Sequence, residues 1–359
     1  MSRLKLLIFI LIMINLNVHS QEVQWKTGLN YFFDNTEFDR SSITIPQTMT
    51  GVHLSPEIGV KWDSAHSVFA GVDVLKNSGT SNIIDKTDVI AYYQYLTLTS
   101  TFRAGSFQRE EVLSNYSDLF FQDSVKNFRP LMQGIFWQIK KNSSYFNLWL
   151  DWVSHQTNLN REIFFIGSSG HKRLGFLFAD FQSYLYHFAG RANNPYDHLC
   201  DNALGHFSVG VDYCNKQGLD TLLFAVGVLA GYERDRDSGN KRVYTPVGAL
   251  LRLNAEYRGI GLDNMLYLGQ PRMDLYKDFG GNLYWGNPFL RSNYYLESKL
   301  YLNVVHTPYV KGRIAGKFHF SEGMLMFEQT LNLSVSLNNF SEHQRNQNNR
   351  TFNLLHFNK

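Results

Sequence analysis

The sequence predicts an all-β fold: a transmembrane antiparallel β-barrel of about sixteen strands, with fourteen as the alternative count. Three observations predict it. Segments of hairpin length alternate apolar and polar residues with period two, the mark of strands whose faces meet different solvents. Charges of both signs recur on the face opposite the apolar one, which a packed core would not tolerate. The connections also alternate between tight turns and longer segments, as in a barrel with short periplasmic turns and long extracellular loops.

The clearest hairpin is Leu131–Trp152. Leu131, Gln133, Ile135, Trp137 and Ile139 alternate with Met132, Gly134, Phe136, Gln138 and Lys140, and after Lys141–Ser144 the pattern resumes with Phe146, Leu148, Leu150 and Trp152. The same rhythm predicts strands at Val23–Phe33, Thr50–Trp62, Ser67–Leu75, Thr87–Tyr95, Thr99–Phe107, Leu131–Lys140, Tyr145–Val153 and Arg161–Ser168. It continues at Leu174–Ala189, Leu204–Cys214, Thr221–Glu233, Thr245–Tyr257, Leu262–Gly269, Ser292–Val304, Val310–Phe320 and Met324–Leu337. Tight turns then fall at Asp63–His66, Leu96–Leu98, Lys141–Ser144, Ser169–Arg173, Asn215–Asp220, Arg258–Gly261 and Val305–Tyr309. Between them lie longer links such as Asp34–Met49, Gln108–Pro130 and Gln270–Arg291; only Ser321–Gly323 is short on the long-loop side.

Residues 1–20 read as a secretory signal peptide: Arg3 and Lys5 precede the apolar run Leu6–Leu16 and a short polar exit to Ser20. Residues 21–337 form the barrel, and 338–359 a polar tail of disordered composition. Phe340 or Phe357 is the candidate for a terminal closing aromatic. The net charge of +3 and the lack of a basic cluster speak against a nucleic-acid partner. Aromatics at 15% with negative mean hydropathy suit a barrel whose polar lumen dilutes its apolar belt. With Leu204–Cys214 as one strand, Cys200 and Cys214 stand too far apart for a disulfide.

Face assignment follows from the alternation. Val52, Leu54, Ile58, Val60 and Trp62, then Phe207, Val209 and Val211, then Val247, Leu251 and Leu253 belong to lipid. Trp25, Trp62, Tyr95, Trp137, Phe146, Tyr213 and Tyr257 gather near the short-turn ends as an interfacial girdle. The expected pore lining is Lys311, Arg313, Lys317, His319, Arg252, Glu256, Glu297, Lys299, Asp151 and Asp180. Lys311, Arg313 and Lys317 step about 6–7 Å apart along one strand, a stripe that attracts anions unless acids such as Glu297 neutralise it.

The stretch Phe107–Pro130, with Arg109, Asn115, Phe120, Asp123, Ser124 and Arg129-Pro130, and the runs Asp151-Trp152, Arg161–Gly167, Tyr232–Asp237 and Leu283–Pro288 give the chain a family character. In these it resembles the outer-membrane β-barrels and porins of Bacteroidota. The resemblance implies the barrel fold, an outer-membrane location and passive diffusion, and it assigns no functional residue.

The function expected is therefore a channel for diffusion or uptake of small polar solutes, with outer-membrane lipid and those solutes as partners; the oligomeric state is not legible. The alternatives are a barrel-embedded enzyme, or a plugged structural or ligand-binding barrel acting through aromatic extracellular loops. Tyr276, Phe279, Tyr284, Trp285 and Phe121 are the candidate ligand-binding aromatics, weighed against packing that caps the barrel. No catalytic residue, metal site or cofactor is expected, and the chain reads as a non-enzyme. Ser183 and His187 lie about 13 Å apart along a strand, the loop Asp197–Asp201 has no second ligand pair, and Asp235 and Asp237 lack a calcium-loop spacing.

Overall fold

Alternation fixes which face of each strand meets lipid, and cross-strand pairing then closes the sheet on itself. The computed structural model describes residues 21–39, 41–214, 219–237 and 243–340. The expected signal segment 1–20 and the tail from 341, with Phe357, lie outside the described residues.

Sixteen strands form the wall: β1 Glu22–Glu37, β2 Gln47–Lys61, β3 His66–Asn77, β4 Lys86–Leu96, β5 Ser100–Gln108, β6 Leu131–Lys141, β7 Ser144–Ser154 and β8 Arg161–Leu174. They continue with β9 Leu177–Arg191, β10 Cys200–Asp212, β11 Thr221–Asp235, β12 Val247–Tyr257, β13 Ile260–Gly269, β14 Tyr294–His306, β15 Val310–Ser321 and β16 Met324–Asn338. The pair Val243–Tyr244 adds a short extension beside β11. Each strand pairs antiparallel with its sequence neighbour, and β1 pairs with β16 from Lys26↔Asn338 to Glu37↔Phe327, which seals the barrel.

The outer surface is apolar, with Leu54, Ile58, Phe207, Val209, Leu251, Leu300 and Ile314 exposed, while their neighbours point inward. Trp25, Trp62, Trp137 and Tyr257 are exposed at the short-turn end. Close packing inside the wall uses glycine: the Tyr267 ring lies where a Cβ of Gly248 would be, and Tyr301 does the same over Gly261.

Several boundaries differ from the sequence reading. β1 continues through Glu37, so Asp34 belongs to the wall and not to a loop. β8 continues through Ser169–Arg173 to Leu174, because that segment pairs fully with β9, and the turn moves to Gly175 and Phe176. Phe340 turns into the barrel against Phe69, with ring centroids 5.9 Å apart, so it is not an outward closing aromatic.

The larger finding is inside. Two loops fold back into the lumen: 109–130, with the short helices α1 Glu110–Leu113 and α2 Asp123–Phe128, and 270–293, with α3 Tyr276–Phe279. They interlock where Gln122 N donates to Trp285 O at 2.9 Å, and a Cβ on Gly286 would come 2.1 Å from the Leu119 carbonyl oxygen. Tyr116, Phe120, Phe121, Tyr284 and Trp285 bury themselves against Trp149, Phe165, Tyr184 and Tyr186 of the wall. Arg109 is clamped beneath, 2.8 Å from Asp151 and over the Phe121 and Trp285 rings. A water-filled lumen was expected here; apolar loop side chains fill it, since aromatic burial outweighs the ordering of two loops.

Candidate functional site

The filling is not complete among the described residues. A cavity of about 110 Å³ lies beside the closing seam, lined by Asp34, Asp123, Glu297, Lys317, His319 and Glu328 among others. Strand register explains why these meet. Lys317 lies directly opposite Glu328 across β15 and β16, and Glu297 opposite His319 across β14 and β15. Asp34 pairs with Thr330, one inward step from Glu328. The plug supplies Asp123 at the first turn of α2.

The contacts form a chain of charge-assisted bonds. Lys317 Nζ donates to Asp123 Oδ2 at 2.5 Å and to Glu328 Oε1 at 2.6 Å. Glu328 Oε2 stands 3.1 Å from His319 Nε2, and His319 Nδ1 stands 2.7 Å from Tyr295 Oη. Tyr295 Oη donates to Glu297 Oε2 at 2.8 Å. Phe289 stacks on the His319 ring at 5.0 Å and Phe38 meets it edge-on, so the imidazole cannot turn. Burial pushes the Asp123 carboxyl up, but Lys317 and Lys126 beside it hold it well below the usual carboxylate range.

Asp34 is the exception. It is only 4% exposed, and its Oδ1 has no hydrogen-bond partner. Oxygens of Asp34, Asp123 and Glu328 lie within 4.8 Å of one another, so these three could hold a divalent cation, although Lys317 already bridges two of them. A buried carboxylate oxygen without a donor is costly to keep.

The expected lining residues scatter. Lys317, His319 and Glu297 meet in this cavity. Asp151 is spent on Arg109, and Asp180 accepts from Ser208 at 2.7 Å. Glu256 accepts from Tyr301 and Asn303, while Arg313 lies over Tyr301 and donates to Asn303. Arg252 and Lys299 are half-buried on the inner wall and Lys311 is exposed. The stripe is thus no run of free cations, because Lys317 is held by Asp123 and Glu328 rather than by Glu297. Of the loop aromatics, Phe121, Tyr284 and Trp285 are buried in the plug. Tyr276 lies under Arg291, and Phe279 packs on Phe188. Ser183 meets Ser168, and His187 meets Asp201, so the pair does not join.

The closed sixteen-strand wall with an apolar exterior defines an outer-membrane β-barrel whose lumen is plugged. The chain belongs to the lipid A 3'-O-deacylase-type family, whose model matches residues 17–356. That family is one of enzymes, which overturns the expectation of a non-enzyme. In fold the chain is similar to a loop-deletion mutant of OmpT, an outer membrane protein of Vibrio cholerae, at 9% identity and a TM-score of 0.54, covering 89% of this chain and 100% of that one. It is similar also to an anion-selective porin from Comamonas acidovorans, at 9% identity and a TM-score of 0.52, covering 89% of this chain and 99% of that one. At such identity the likeness concerns the fold alone. No curated protein matches the sequence.

Proposed function

We propose that this barrel hydrolyses an ester-linked acyl chain of a lipid A-type lipid, and that the seam cavity is its active site. The observation that carries the reading is Asp34 Oδ1, buried and without a donor, beside an immobilised Lys317–Glu328–His319 array. A water beside Asp34 loses its proton to Oδ1 as its oxygen attacks the ester carbonyl. Lys317 has three N–H donors, of which two are committed to Asp123 and Glu328, and we assign the third to the developing oxyanion. Collapse breaks the ester C–O bond and returns the proton from Asp34 to the departing sugar oxygen, leaving a fatty acid and an alcohol. Glu328 and His319 are positioning residues that fix the ammonium.

Family membership supports this reading, and the filled lumen does not favour diffusion of small polar solutes. The test is to incubate the purified, folded protein with lipid A in detergent and follow the lipid by mass spectrometry. Loss of one ester-linked acyl chain with wild type and none with Asp34→Asn is expected. An unchanged lipid mass with wild-type protein overturns the proposal.

A further inference from the structure

The connection beside the cavity is the shortest on the long-loop side among the described residues. On the long-loop side every described connection is extended except β15–β16, which turns through only Glu322 and Gly323. Both have positive φ, +52° and +76°, the backbone of a two-residue hairpin that matches strand twist. The outer wall is apolar up to this turn: Phe318, Phe320 and Leu325 are exposed, and Phe327 packs on Phe318 at 5.0 Å. The apolar outer face therefore reaches within two residues of the turn, roughly 7 Å. On the inner side of the same hairpin, His319 lies opposite Met326, and Lys317 and Glu328 face each other two residues further from the turn. The apolar outer face and the cavity thus lie on opposite sides of this one hairpin.

The segment 41–46 crosses this gap. Ser42 Oγ donates to Glu322 Oε2 at 2.7 Å, tying the β1–β2 loop to the turn. Ser41 Oγ accepts from the backbone N–H groups of Ile43 and Thr44, which shapes the crossing. Thr44 and Ile45 line the cavity, yet Ile45 is 74% exposed, an apolar side chain at the mouth with nothing packed over most of it. Ile43 and Phe38 are buried beneath.

Resting on the hydrolase reading, we infer that the substrate is a lipid drawn sideways from the outer leaflet over the β15–β16 turn, with its acyl chain passing Ile45, and that 41–46 is the strap that must lift to admit it. A soluble short-chain ester reaches the same cavity from the aqueous side without crossing the turn.

The test links the strap to the rim. In a Cys214→Ala background, Ser42→Cys with Glu322→Cys is joined by a bifunctional methanethiosulfonate and later released with reductant. Heat-modifiable gel mobility checks the barrel, and turnover of lipid A is compared with turnover of a water-soluble short-chain ester. Linked protein should lose at least tenfold in lipid turnover, stay within twofold on the short ester, and regain lipid turnover on reduction. Unchanged lipid turnover in the linked protein overturns lateral access, as does an equal fall on both substrates. Absence of hydrolysis of either substrate by unlinked protein overturns the hydrolase reading itself.

Discussion

Two halves of one lumen have been built for opposite solvents. Under β6–β10 the wall presents Trp149, Phe165, Tyr184 and Tyr186, and the plug answers with Phe120, Phe121 and Trp285, leaving Arg109 and Asp151 to neutralise each other in a dry setting. At the seam of β1, β15 and β16 the wall presents Asp34, Lys317, His319 and Glu328, and the plug answers with Asp123. In the first region every ring has a partner and the loops act as a core. In the second, charge exceeds pairing and a cavity persists. The difference teaches that the same plug can pack as a core against one stretch of wall and leave a small charged cavity against another.

The largest expected effect comes from silencing that corner. Asp34→Asn keeps size and burial but removes the proposed base, and lipid turnover should fall by roughly 10²–10⁴ with unchanged gel mobility; retained turnover would move the chemistry elsewhere. Attacking the dry half should do the reverse. Trp285→Ala removes a fully buried ring and should cost about 3–5 kcal/mol, read as faster amide exchange across 270–293 and new ion conductance in planar bilayers. If conductance stays absent, the plug does not depend on that ring. Between lipid and lumen the contrast is milder. Leu251→Arg, on the exposed outer face, should destabilise by ~2–4 kcal/mol while Asn254→Arg on the inner face is tolerated, as urea unfolding in detergent would show; equal costs would contradict the faces.

The smallest effect lies outside both regions. In the β9–β10 loop, hydrogen bonds from Arg191 and the nearby Arg161 lower the Asp197 carboxyl to about 2. A depressed acid stabilises above its unfolded value of about 3.9 and loses that contribution as pH falls through the folded one. Acid titration to pH 2 should therefore loosen this loop slightly in wild type and leave Asp197→Asn flat between pH 5 and pH 2, followed by proteolysis.

Most of the wall was legible because period-two alternation is local: each strand shows its lipid face in its own ten residues, and Lys317, His319 and Glu297 could be placed inward from that alone. The plug was not, since aromatics in 109–130 and 270–293 read equally as a binding surface or a cap until their partners across the barrel are known. The cavity was legible only by halves. Lys317 meets Asp123 across 194 positions of sequence, a distance over which no periodicity carries information. Asp34 was hidden by a boundary: a run of Asp, Asn, Thr and Glu reads as a loop, but pairing with both β2 and β16 carries it as strand. Its signal was the alternation Phe32, Asp34, Thr36 continuing the inward face.

The seam has one more consequence. Asp34 comes from the first strand, Glu328 from the last, and Lys317 and His319 from the one before it. The β15–β16 hairpin alone brings Lys317, His319 and Glu328 together; Asp34 joins them only when β16 zips onto β1. The proposed hydrolysis is thereby contingent on a closed wall, an assembly checkpoint, since a chain whose seam is open lacks Asp34 beside Lys317.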